Sequence, residues 1–169
     1  MDVKELIDDD AFDPKKLFNE EEYNTLLINR DGFSKKQNDV ADLIHTLLEK
    51  DITHIESVEI FKTLKEKNAH EVLINAVKQC DRISEKIKLT AACWQTCLDF
   101  SNQFLFFVEL ACSDDFALSM EALTVVENCE DPIINPEILT QALVIAKNSK
   151  SPNIGLLEDL KNNITARIL

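Results

Sequence analysis

The 169-residue sequence carries only two glycines and four prolines, with a single tryptophan and a single tyrosine. All-β folds turn on Gly/Pro-rich corners, and dinucleotide-binding folds open a glycine-rich loop, so both lose ground to an all-α chain. No apolar run approaches the roughly 20 residues that cross a bilayer; the stretch FLFFV stops at Glu109. The N-terminus MDVKELIDDD lacks the basic-then-apolar order of a secretory leader, so a cytoplasmic location and no membrane partner are expected. Five cysteines make an odd number, and most fall inside apolar helical patterns, which suits reduced buried thiols and not a disulfide framework. GxGxxG, P-loop, GxSxG and HExxH patterns are all missing, so no catalytic residue and no cofactor is assigned, and the chain is not expected to be an enzyme.

Positive charge is also missing from one long interval. Between Lys88 and Lys147 there is neither lysine nor arginine, while Asp99, Glu109, Asp114, Asp115, Glu121, Glu127, Glu130, Asp131 and Glu137 all fall there. The chain as a whole has a formal net charge of −13. A phosphate backbone is repelled by such a surface, so nucleic acid is not an expected partner.

What is present is helix punctuation. Ser34 with Gln37 and Thr53 with Glu56 have the form of capping boxes, and Asn68 with Glu71 has the same form with asparagine as the cap. Asn135-Pro136 and Ser151-Pro152 place a cap residue before a proline at the first helical position. Ser101 and Ser113 or Asp114 are further candidate caps, and another helix start falls between Asp81 and Ser84. The caps at Ser34, Asn68, Ser101 and Asn135 recur every 33 or 34 residues, with second helix starts between them. A helix–turn–helix unit repeated at this period is the signature of a solenoid. Shifting the sequence by 31 sets Leu73 on Phe104, Val77 on Val108, Ile87 on Leu118 and Ala91 on Ala122. The expected fold is all-α: a short right-handed α-α superhelix of about four helix pairs over residues 34–169. Residues 1–33 stand outside the repeat and are read as an acidic N-terminal helical cap or arm.

The stretch DRISEKIKLTAACWQTC resembles the second helix of a HEAT-type or armadillo-like repeat: an aspartate in the turn, Ile87-Lys88, then the small Ala91 and Ala92 before larger apolar residues. SDDFALSMEALTVVENC repeats that layout, with Ser119 where the family usually has a basic residue. The resemblance implies a protein-binding scaffold. It also implies the rival reading, a metal-dependent enzyme, because some HEAT-like hydroxylases hold iron with His-Glu pairs and His70-Glu71 is one such pair here. Glu71, however, already has a use in helix capping. Cys93 and Cys97, four residues apart, would share a helix face, and with Cys80 or Cys112 would be the candidates for zinc; packing as small apolar groups is the simpler reading.

On the helix expected after Asp115, a 100° step gathers Leu118, Ala122, Val125, Val126 and Cys129 on one side and leaves Glu121, Thr124, Glu127 and Asn128 on the other. Asp114 and Asp115 are explained as caps; Glu130 and Asp131 follow a helix C-terminus, where negative charge has no local reason to be. Glu109, Glu121, Glu127, Glu130 and Asp131 are therefore the expected partner-binding residues. The expected partner is a protein or peptide segment, basic or amphipathic, met by a monomeric non-catalytic module.

Overall fold

A computed structural model describes residues 34–48, 52–130 and 134–168. The expected N-terminal cap at 1–33, the Ser34/Gln37 capping pair and Asp131 lie outside the residues, or the side chains, so described. Among the described residues there are eight α-helices, one 3-10 turn and no strand, so the fold is all-α. The helices are α1 (Ser34–Leu48), α2 (His54–Glu66), α3 (His70–Gln79), α4 (Ile83–Gln95), α5 (Phe104–Ala111, preceded by the 3-10 turn Ser101–Gln103), α6 (Phe116–Asn128), α7 (Pro136–Asn148) and α8 (Ile154–Ile168).

Side-chain caps set three of these helix starts. Thr53 and Glu56 close a reciprocal capping box at α2, the Thr53 N–H donating to Glu56 Oε2 over 2.9 Å. Asn135 Oδ1 accepts from the Glu137 N–H at 2.8 Å, with Pro136 at the first helical position of α7. Asp115, next to the two expected candidates, caps α6 by accepting from the Leu118 N–H at 2.9 Å. Asn68 does something else: its backbone is left-handed, with φ 56°, and Ala69 occupies the cap position of α3 with no side-chain bond. Asparagine tolerates that conformation, so it ends α2 in place of starting α3. Ser151 likewise sits before the start of α8, which begins at Ile154.

A continuous apolar core runs from Val40 to Ile164. The five residues placed on the inner side of α6 are all buried, as are Phe104, Val108 and Ala111 of α5. Phe106 and Leu110 are half-buried against the core, with Phe106 edge-on to Phe107 and Lys78 Nζ lying 5.0 Å from the Phe106 ring centroid. FLFFVELA is thus a helix covered on two sides, which explains a run with one charge.

Helices α4, α6 and α8 form a layer, α6 packing on both of the others. Hydrogen bonds fix their direction. Beyond the end of α4, Asp99 and Ser101 reach the residue beyond the end of α6: the Glu130 N–H donates to Ser101 Oγ at 2.8 Å. At the end of α8, Arg167 reaches the carbonyls of Val126 and Cys129, both at 2.9 Å. Ahead of α8, Asn153 Nδ2 donates to the Ser113 carbonyl ahead of α6, at 3.1 Å. The three helices therefore run parallel, starts at one edge and ends at the other. Helix α5 packs on α6, α7 and α8, behind this layer.

Candidate partner-binding surface

The acidic residues expected to meet a partner are carried by α5 and α6, and the fold treats them differently. Glu109 is exposed on α5. Glu127 is exposed in the last turn of α6, and Glu130 is exposed just beyond it. Glu121 is half-buried, and its Oε2 accepts from the Trp94 indole N–H at 2.7 Å. An indole N–H is a donor only, so a carboxylate from the neighbouring helix is a strong partner for it. Glu121 thus joins α4 to α6, and Glu109, Glu127 and Glu130 are the members of the set that stand in solvent. Among the described residues, ion pairs join Lys62 to Glu66, Lys67 to Asp39 and Arg82 to Glu85, and none of these three involves Glu109, Glu121, Glu127 or Glu130.

The end of α6 explains how carboxylates are tolerated beside a helix C-terminus. The guanidinium of Arg167 donates to the carbonyls of Cys129, Val126 and Glu127, at 2.9, 2.9 and 3.2 Å, while its Nε donates to Asn163 Oδ1 at 2.9 Å. It also lies over the Phe104 ring, 5.7 Å from the centroid. A cation is the favourable complement to a helix C-terminus, and a planar fork satisfies several orphan carbonyls together. Sequence reasoning passed over Arg167 because its partners lie 38 to 41 residues earlier in the chain.

His70 and Glu71 line a cleft of about 890 Å³ together with Lys67, Lys78, Asp99 and Phe100. The imidazole packs on Phe100 with 5.1 Å between ring centroids, Lys67 Nζ is 3.2 Å from Asp39, and Lys78 Nζ donates to Gln103 Oε1 at 3.3 Å. No group of three or more His, Cys, Asp or Glu side chains converges among the described residues as a metal-ion site would require. The cysteine pair also separates. Helix α4 ends at Gln95, and Cys97 follows in a left-handed conformation with φ 50°, so the four-residue spacing does not set the two thiols on one helical face. Cys93 is buried and Cys97 exposed. Desolvation raises the Cys93 thiol far above its ordinary range and raises that of Cys129 to about 12, keeping both protonated and inert.

Ser119, which departs from the HEAT-type pattern, is fully buried, and its Oγ donates to the Ala111 carbonyl at the end of α5. It closes the α5–α6 hairpin with a neutral bond. No described helix is long and apolar enough to cross a membrane. No protein-family model, curated protein or solved structure matches the chain.

Proposed function

We propose that this protein is a non-catalytic interaction module, a HEAT-like or armadillo-like stack of helix pairs whose acidic surface takes a basic or amphipathic segment of a protein partner. The observation that carries the reading is the exposure of Glu109, Glu127 and Glu130 within an interval that contains no lysine or arginine. The parallel layer α4–α6–α8, with α5 behind it, supports the stacked arrangement. Electrostatic attraction to such a surface is long-ranged at low ionic strength and falls once the Debye length drops to a few ångströms.

The test is titration of a fluorescent lysine/serine peptide, with no apolar side chain, into the wild-type protein and into E109K/E127K/E130K. Glu121 is left intact because its bond to Trp94 belongs to the packing. The expected result is binding at about 0.02 M salt, weakened at least about tenfold at about 0.5 M and in the triple variant. Binding that ignores both salt and charge reversal would remove the acidic surface from the function.

A further inference from the structure

The starts of the three parallel helices share an unusual feature. Ile83, Phe116 and Ile154 are the first residues of α4, α6 and α8, and they are 47, 58 and 68 % exposed. The first helical position is where proline and acidic residues are favoured, and nothing in the fold asks for a large apolar side chain there. One such residue would be ordinary, since apolar side chains scattered singly over a surface are normal. Here the same register position carries one in each of the three helices of the layer, and Met120 extends the row by a turn along α6 at 42 % exposure. The bond from Asn153 to the Ser113 carbonyl holds the starts of α6 and α8 side by side, and α4 packs on α6 in parallel. The three residues therefore form a row along one edge of the layer, opposite the edge that carries Glu127 and Glu130.

Carboxylates outnumber cations around this row. Asp81 and Asp114 are exposed two residues before Ile83 and Phe116, and Glu158 and Asp159 are exposed in the first turns of α8. Of the cations nearby, Arg82 is held by Glu85 at 2.6 Å, Lys86 lies in the first turn of α4, Lys150 is exposed in the loop before α8, and Lys161 lies two turns into α8. We infer that the row Ile83–Phe116–Ile154 is a docking surface for an amphipathic basic helix, laid across the starts of α4, α6 and α8. The spacing suits a helix. Packed helices lie about 8–10 Å apart, and seven residues of an α-helix advance about 10.5 Å. A partner with an apolar residue at every seventh position sets one side chain on each helix start, and its basic flank faces Asp81, Asp114 and Glu158. This edge is separate from Glu127 and Glu130 at the far ends of the helices, whereas Glu109, in the last turn of α5, lies on the near side.

The probe is a fluorescein-labelled helix of about 20 residues, about 30 Å long, with leucine along one face and lysine elsewhere. Two controls accompany it: the same composition shuffled so that no face forms, and the amphipathic sequence with glutamate for lysine. At about 0.15 M salt the amphipathic basic peptide should bind at least about tenfold more tightly than either control. It should also gain helicity on binding, and F116S/I154S should weaken it about tenfold, as should I83S alone to a smaller extent. All three side chains are at least 47 % exposed, so the circular dichroism of the folded protein should be unchanged in these variants.

If the shuffled peptide binds as tightly as the amphipathic one, the row is not a docking surface, although the acidic reading survives. If the amphipathic peptide alone binds, the row stands, and the acidic surface is judged by the lysine/serine peptide at low salt. Equal binding to wild type and F116S/I154S overturns the row. So does light scattering that shows a dimer broken by F116S/I154S, since the row would then seat a second copy of this chain.

Discussion

At the scale of single residues, the cysteines are sorted by the fold into distinct chemical states. Cys97 is exposed, Cys80 and Cys112 are half-buried, and Cys93 and Cys129 are buried. Desolvation is the first cause that raises the thiols of Cys80, Cys93, Cys112 and Cys129 above the ordinary 9.0. Only the thiolate attacks a disulfide reagent, so reactivity should follow exposure and acidity together. With an aromatic disulfide at pH 8, Cys97 should react first, Cys80 and Cys112 more slowly, and Cys93 and Cys129 only after unfolding. Mass spectrometry of partly labelled protein reads this order directly, and early labelling of Cys93 would contradict the packing of α4. The same groups set a pH dependence. A thiol whose folded pKa is raised contributes stability that is intact below the unfolded value and is lost as pH climbs through the folded one. For Cys129 that window opens near 9.0 and closes near about 12. Urea midpoints should therefore fall between about pH 9 and pH 12, less steeply in C93A/C129A than in the wild type.

At the scale of elements, the helix ends show what local sequence can and cannot specify. Thr53 with Glu56, and Asn135 with Pro136, were legible because a cap and its partner lie within a few residues. The inner face of α6 was legible because burial follows the helical period. Asn68 was misread because asparagine suits both a helix start and a left-handed helix end, and only the direction of the incoming chain decides between them. The three tertiary ties were not legible at all: Trp94 to Glu121, Ser119 to Ala111, and Arg167 to the end of α6. The row of apolar helix starts was spelled out in the sequence, yet it acquires meaning only once α4, α6 and α8 are seen to be parallel. Arg167 supports a specific prediction. Arg167→Met keeps the aliphatic stem and removes the bonds to the carbonyls of Val126, Glu127 and Cys129, which leaves part of the end of α6 unsatisfied. Charge-assisted bonds of this kind are worth roughly 2 kcal/mol to stability, and the urea midpoint should drop accordingly. Arg167→Lys should recover only part of the loss, because a point charge cannot serve several carbonyls in one plane. A methionine variant within about 0.5 kcal/mol of the wild type would show that the tie does not hold α6 to α8.

For the whole molecule, the controlling quantity is its charge. A formal net charge of −13 on 169 residues is concentrated further by the interval from Lys88 to Lys147, which itself holds no lysine or arginine. Described ion pairs do little to relieve this: Lys62–Glu66 and Arg82–Glu85 are local to single helices, and Lys67–Asp39 joins α2 to α1. The compact state therefore holds like charges closer together than the unfolded chain does, and self-repulsion works against folding. Screening relieves that repulsion in a characteristic way. The Debye length falls from about 30 Å at 0.01 M to about 8 Å at 0.15 M and about 3 Å at 1 M, so most of the shortening comes early. Thermal stability should thus rise on adding sodium chloride, with most of the gain below about 0.15 M. Salts that act by exclusion from the surface give a different curve, because their effect keeps growing with concentration. The contrast can be measured by following the unfolding of the single Trp94 by fluorescence in sodium chloride and, separately, in sucrose. A gain that saturates at low salt and has no counterpart in sucrose identifies self-repulsion as its source. A midpoint that falls as salt is added would mean that attractive pairs dominate, and the acidic interval would then be compensated within the fold and have no free charge to offer a partner.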